Sequence, residues 1–360
     1  MKKWILISSL FFLTGLSGKA QSSNESGMNL STVTLEEAGF NRDSIETLID
    51  LIYETPHKDF RGLVVIKDNK LVIQEHFNTY MWNTIHDIRS AGKSVTALLL
   101  GVAMQEGLIQ NLNQNVHSLF SEAQNPSINE EYKKIRLRDL LDMSSGLDAD
   151  SDDWRTPGQA SNWISLDDWK EYVLNIPLKS KPGENFVYAD IHPLLIGLAI
   201  EEASGMSLKD YAQKKLFEPL GVNQVYWFTN ASNQTGAAGN LYLTTLDFAK
   251  LGLLVTNEGK WNNQQIIHPD YIESLINTKR PLPESWSGFA DAYGMFWYKS
   301  TKTFAGKEID YLFASGFGGN HLVVIPEKEI VIAVTSSAYG APYSHGRSFA
   351  ITYKVLNALK

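Results

Sequence analysis

The chain has 360 residues, 20% of them charged and 43% hydrophobic, an ordinary globular mixture long enough to bury a large core. Its net charge of −8 and lack of any dense Lys/Arg run argue against a polyanion-binding surface and leave no nucleic-acid footprint. The absence of cysteine excludes disulfides, thiol catalysis and a lipidated N-terminal cysteine.

Lys2 and Lys3 precede the apolar run WILISSLFFLTGL, and small residues follow at Gly18 and Ala20. This is a signal-peptide layout with cleavage after Ala20. The other reading is a membrane anchor, but the run is about 13 residues against the roughly 20 that a spanning helix needs. Export to a periplasm or to the medium is expected, with no membrane association after cleavage. Residues 21–34, rich in Ser and Asn, read as a flexible leader. Asn41 is a plausible N-cap, and Ile45, Leu48, Ile49 and Ile52 follow at helical spacing. GLVVIKDNKLVIQEHF reads as a hairpin with its turn at KDN.

From residue 90 to about 287 the patterns are mostly helical. LLIGLAIEEASG and TTLDFAKLGLLVTNEGK are helices with glycine near their ends. Strands return in HLVVIP and EIVIAVTSS, a second hairpin around EK, and SFAITYKVLNAL closes the chain as an amphipathic helix. The simplest assembly is one α+β domain over 35–360. Its antiparallel sheet is built from both ends, 35–89 and 288–360, with a helical lobe inserted at 90–287.

The stretch DIRSAGKSVTALLLG admits two readings. As a phosphate-binding loop, AGKS requires glycine five positions before Gly92, where Asp87 stands and would repel phosphate. As Ser90-x-x-Lys93, it sets a hydroxyl and an amine on one helix face. Serine is a weak nucleophile and needs a base, which a lysine becomes when burial lowers its pKa. Val95, Leu98, Leu99 and Val102 place this helix in the core, and backbone N–H groups at its N-terminus favour an oxyanion. The bland alternative is a chance Ser-x-x-Lys on a helix.

Around this motif the chain resembles the serine β-lactamase and penicillin-binding-protein superfamily, on the side of class C enzymes and their esterase relatives. RSAGKSVTALLLGVA is similar to the family's active-site helix and KIRLRDLLDMSSGL to its "lrdLLtMtSGl" segment. KPGENFVYADIHPLL is similar to the segment with its Tyr-x-Asn motif. AAGNLYLTTLDFAKLGLL and SGFGGNHLVVIPEKEIVIAV follow in family order. The resemblance implies a β-lactamase-like fold, Ser90 as acylated nucleophile, Lys93 as its amine partner and Tyr188 as the tyrosine sharing protons with that lysine. A tyrosine acts as base only if nearby cations lower its pKa, which Lys93 is placed to do. The oxyanion hole implied is the backbone N–H of Ser90 and of Phe317. Taken alone, Tyr188 reads equally as a half-buried core tyrosine.

Two departures bear on substrate. Tyr-x-Asn is Tyr188-Ala189-Asp190 here, so an amide becomes a carboxylate that either orients Lys93 or is a spectator. The family's Lys-Thr-Gly falls at Ala314-Ser315-Gly316, which keeps Ser315 and Gly316 as substrate-side residues but loses the cation. That removes a charge-assisted contact worth about 1.5–3 kcal/mol. Efficient β-lactam or D-alanyl-D-alanine turnover is therefore not expected. ASGFGGN is nearer in style to the 6-aminohexanoate-dimer hydrolase and carboxylesterase branch.

Other features carry weaker readings. DADSDD has alternate carboxylates like a calcium loop, but Asp153 replaces the required glycine and Gln159 the closing glutamate, so a solvated loop is the better reading. Trp154, Trp163 and Trp169 either line a cleft or pack under a loop. His192 faces the cleft or sits on the surface. No metal and no cofactor is called for. The expected protein is an exported serine hydrolase of small ester or linear amide substrates, working through an acyl-enzyme on Ser90. The rivals are a peptidoglycan D,D-peptidase or weak β-lactamase, and a non-catalytic binding or sensor domain.

Overall fold

Asp68 and Asn69 both adopt left-handed backbone, φ 50° and 59°, the pair of positive angles that a two-residue hairpin turn requires. They join β1 (Phe60–Lys67) to β2 (Lys70–His76) in antiparallel pairing, at the position read from KDN. The computed structural model describes residues 30–120, 132–304 and 306–360. The signal-peptide run, its cleavage point and most of the leader lie outside the described residues. Before the hairpin, α1 (Arg42–Glu54) begins where the Asn41 side chain accepts the Ser44 N–H, and it buries Ile45, Leu48 and Ile52 on one stripe.

The rest of the sheet comes from the far end of the chain. It consists of β3 (Arg280–Pro281), β4 (Ala292–Gly294), β5 (Trp297–Phe304), β6 (Lys307–Gly316), β7 (Asn320–Ile325) and β8 (Ile330–Ser336). The order is β2-β1-β8-β7-β6-β5-β4-β3, antiparallel throughout. β1 pairs with β8, from Phe60 opposite Ser336 to Lys67 opposite Ile330, so the two ends of the chain close one sheet. Every residue of β7 and β8 is buried. Helices cover both faces, which is why these strands read as continuous apolar runs rather than as alternation. The expected α+β architecture, one antiparallel sheet closed from both ends of the chain, is therefore present.

Between the two halves of the sheet lie α2 (Gly92–Gln105) and α3 (Ile191–Ser204), packed against each other. Every residue from Gly92 to Ala103 is buried. The segment is not purely helical: His86–Asp87, Leu241–Leu243 and Tyr226–Trp227 form a small antiparallel sheet. The main sheet also resumes at Arg280, earlier than the hydrophobic pattern suggests, because β3 is only two residues long. On one face of the sheet, α4 (Thr245–Thr256) lies so close that a Cβ on Gly252 would stand 2.6 Å from Val331 Cγ1 and 3.1 Å from Leu322 Cδ1. On the other lies α5 (Ser344–Asn357), whose His345 meets His321. His321 and Leu322 are neighbours in β7 and so point to opposite faces.

Candidate active site

Ser90 sits in a single 3₁₀ turn, Arg89–Ala91, that leads into α2. Arg89, before it, has φ 54°, a left-handed angle disfavoured for a residue with a side chain. Asp87 holds that angle: its Oδ1 accepts the Arg89 N–H at 2.8 Å and its Oδ2 accepts Nη1 at 3.1 Å. The sequence carried no sign of this strained turn, because it depends on a carboxylate folding back two residues.

Lys93 is one turn on and buried. Its ammonium has three N–H bonds and finds three acceptors: Ser90 Oγ at 3.1 Å, Ala238 O at 2.9 Å and Asp190 Oδ1 at 2.7 Å. Its Nζ also lies 5.0 Å from the centre of the Tyr188 ring. Here the expectation of an amine made basic by burial is corrected. Burial pushes the Lys93 pKa down, but the Asp190 carboxylate, helped by the Tyr188 hydroxyl, holds it above the ordinary lysine value. Lys93 is an ammonium. The cost of burying it is offset by an ion pair in which every donor is used.

Asp190 stands at the N-cap of α3 yet makes no cap with its side chain, which is turned to Lys93 instead. Its own N–H donates to Ser151 Oγ at 3.2 Å, and the Ser151 N–H donates to Tyr188 O at 2.9 Å. The acidic loop thus clamps the Tyr188–Asp190 turn through its serine. Its carboxylates are engaged locally: Asp150 accepts the Asp152 N–H, Asp153 pairs with Arg155, and Asp148 pairs with Lys179. Tyr188 leans on Trp286 and Tyr293, with ring centroids 5.4 and 6.3 Å away.

The end of β6 closes the other side. An added Cβ on Gly316 would lie 1.9 Å from Ile88 O and 3.2 Å from Ala91 N, so the strand backbone abuts the turn on both sides of Ser90. Phe317 follows directly, half exposed, its ring stacked on Tyr339 at 5.7 Å. Among the described residues, no acceptor takes the Phe317 N–H. Ala314 is fully buried. Ser315 points towards α5, with Oγ 3.4 Å from His345 Nδ1, and His345 Nδ1 is 3.0 Å from His321 Nε2.

A cleft of about 100 Å³ opens at Ser90. Its walls include Trp163, Ile164, Trp169 and Phe228, with Asp190 at one side. Trp163 and Trp169 are both buried and meet edge to face at 5.5 Å, so the cleft and packing readings hold together for this pair. Trp154 is 75% exposed and lies away from it. His192 is neither in the cleft nor on the surface. It is buried, with Nε2 2.8 Å from Ser145 Oγ and Nδ1 2.9 Å from Met143 Sδ, and burial pushes its pKa down to about 3. It is a neutral packing residue.

A family model described as Beta-lactamase matches residues 52–352. Over 209 residues the chain is 26% identical to a protein of Escherichia coli O157:H7 named "Putative D-alanyl-D-alanine carboxypeptidase", an alignment covering 52% of this chain and 48% of that one. The chain spans about half the length of the curated relatives of this kind that it matches. Among solved structures, "Putative 6-aminohexanoate-dimer hydrolase from Bacillus anthracis" superposes with TM-score 0.70 at 18% identity, covering 92% of this chain and 88% of that one. A D-amino acid amidase from Ochrobactrum anthropi SV3 superposes with TM-score 0.66 at 15% identity, covering 88% and 97%. At these identities the superpositions speak for the fold.

Proposed function

Because the chain belongs to the beta-lactamase family, whose members are serine hydrolases, we propose that it cleaves a small ester or linear amide through an acyl-enzyme on Ser90. The observation that carries this is the three-acceptor ammonium of Lys93. Ser90 Oγ receives a hydrogen bond from Lys93, so its own O–H proton points elsewhere, and Tyr188, acting as phenolate beside the ammonium, takes it and becomes the phenol. Ser90 Oγ adds to the carbonyl carbon. The oxyanion that forms rests on the backbone N–H groups of Ser90 and Phe317. Collapse breaks the bond to the leaving alkoxide or amine, which takes the proton from Tyr188. Water then adds to the acyl-enzyme by the same route and releases the carboxylic acid and free Ser90. No step calls for a cofactor.

The aromatic walls of the cleft suit a short apolar acyl group. Buried Ala314 offers no charge for the carboxylate of a β-lactam or of D-alanyl-D-alanine, and this favours simple esters and amides over the substrate named for the E. coli relative. The signal-peptide layout supports export. The test is side-by-side hydrolysis of p-nitrophenyl butyrate and a chromogenic cephalosporin by the protein without its first 20 residues. Turnover of the ester with kcat/KM about 10-fold or more above the cephalosporin is expected from loss of a charge-assisted contact. The reverse order would establish a β-lactamase or peptidase. Turnover of neither, nor of linear amides, would leave a binding domain.

Asp190 gives the proposed proton route a pH test. The carboxylate holds Lys93 protonated, so activity that needs the ammonium is lost only as pH rises through a raised lysine pKa. Asp190→Asn removes the largest of the effects that oppose burial, leaving only the help of Tyr188 against it, so that pKa falls. The alkaline limb of kcat/KM is expected to move down by about one pH unit or more in the variant. An unmoved limb, or a gain of activity near neutrality, would mean that Lys93 works as a neutral base.

A further inference from the structure

Lys299, in β5, takes no part in the chemistry set out above. Its neighbour Tyr298 stacks on Phe313, which meets Phe349 of α5, so Lys299 points to the other face of the sheet. It is 3% exposed and lines a cavity of about 250 Å³. Ile276 and Asn277, at the end of the helix Pro269–Asn277, form one wall, and Leu312 and Pro326 add apolar surface. Lys299 Nζ donates to Gly294 O at 2.7 Å. Gly294 abuts Thr278, with an added Cβ 2.5 Å from Thr278 O. The amine is thus drawn to the junction of β4 with that helix end, at the cavity.

A buried ammonium calls for three acceptors and a counter-charge, which Lys93 has. Lys299 is differently placed. Among the described residues Gly294 O is its one acceptor, and no carboxylate pairs with it. The charged groups around it are Asp142, Lys279, Asp310 and Glu327. Asp142 is turned to the Met295 N–H, which its Oδ1 accepts at 3.1 Å. Asp310 is taken up by Lys279 and Thr301. Burial therefore prevails and pushes the Lys299 pKa down to about 7. A neutral amine that donates one N–H to Gly294 O keeps its lone pair, and desolvation is what makes a lysine a nucleophile. The walls do not suit an anion, because Lys279 is already paired and Asp310 and Glu327 are acidic. A neutral carbonyl compound meets no such objection.

We propose that the cavity at Lys299 is a covalent site for small neutral aldehydes, which its amine captures as an iminium. The site lies apart from the Ser90 cleft and does not rest on the hydrolase reading. The nitrogen lone pair adds to the carbonyl carbon, and one amine proton moves to the oxygen. The hydroxyl so formed leaves as water with a proton from solvent. The iminium keeps one N–H, which still donates to Gly294 O, and its positive charge faces Asp142.

The experiment treats the protein without its first 20 residues at about pH 7.5 with a limiting amount of propanal and with cyanoborohydride. The hydride reduces the iminium to a stable propylamine, and peptide mapping by mass spectrometry locates the adducts. At this pH a lysine of ordinary pKa is neutral in only about one molecule in 10³. Lys299 is therefore expected to be labelled about tenfold or more faster than the exposed Lys260 and Lys307. Its rate should level off above about pH 8, while theirs climb through pH 9, and its advantage should vanish in urea. Only the wild-type chain is used, so no variant's folding enters. Labelling of Lys299 no faster than Lys260 and Lys307, a rate that climbs with theirs through pH 9, or an advantage that persists in urea overturns the proposal.

Discussion

Replacement of Ser90 by alanine is expected to lower kcat/KM for p-nitrophenyl butyrate by about 10³-fold or more, the scale on which removal of a covalent nucleophile acts. The expectation follows from the hydrogen bonds around it. Ser90 Oγ is one of three acceptors of a buried ammonium, and it is the only hydroxyl among them, the group that forms an ester on attacking a carbonyl. Without it, Lys93 still has Asp190 and Ala238 O, so the ion pair and the fold persist. The variant should therefore melt close to wild type. Intact mass after brief exposure to the ester should show an acyl adduct on the wild type and none on the variant. Activity retained within tenfold would remove Ser90 from the chemistry and return Ser-x-x-Lys to coincidence.

The second large effect is expected at a residue with no reactive group. Gly316→Ala puts a methyl 1.9 Å from Ile88 O, 3.0 Å from Ile88 C and 3.2 Å from Ala91 N. These are backbone atoms of the turn that carries Ser90, and they cannot rotate away as a side chain can. The end of β6 must withdraw by more than an ångström, and the Phe317 N–H goes with it. Displacing an oxyanion donor on this scale costs about 10²–10³-fold in kcat. Overpacking is expected to cost about 1–3 kcal/mol of stability. Gly346→Ala is the control. It lies in α5 with nothing within 4 Å of the added methyl, and it should leave kcat unchanged while slightly raising the melting temperature. Full activity in Gly316→Ala would show that this strand does not supply the oxyanion hole.

Both predictions combine what was legible in the chain with what was not. The two hairpins, the Asn41 cap and the long apolar helices rest on interactions within a few residues, so pattern and turn chemistry report them directly. The same holds for Ser90 and Lys93, three apart on one turn. The charge on Lys93 was not legible. Burial alone lowers a lysine pKa, and the carboxylate that reverses the sign lies 97 residues away in sequence and 2.7 Å away in space. The small sheet of His86–Asp87, Leu241–Leu243 and Tyr226–Trp227 was missed for a related reason, since its strands are two or three residues long and carry no period of their own.

By itself, then, the sequence determined the local elements, the family order of the segments and the short-range Ser90–Lys93 pair, because each is written in neighbouring side chains. The tertiary structure alone decided the protonation of Lys93, the abutment of Gly316 against Ile88, and the pairing of Trp163 with Trp169 as a cleft wall. Each of these depends on a distance between segments remote in the chain, and electrostatic and steric energies are set by that distance rather than by position along the sequence.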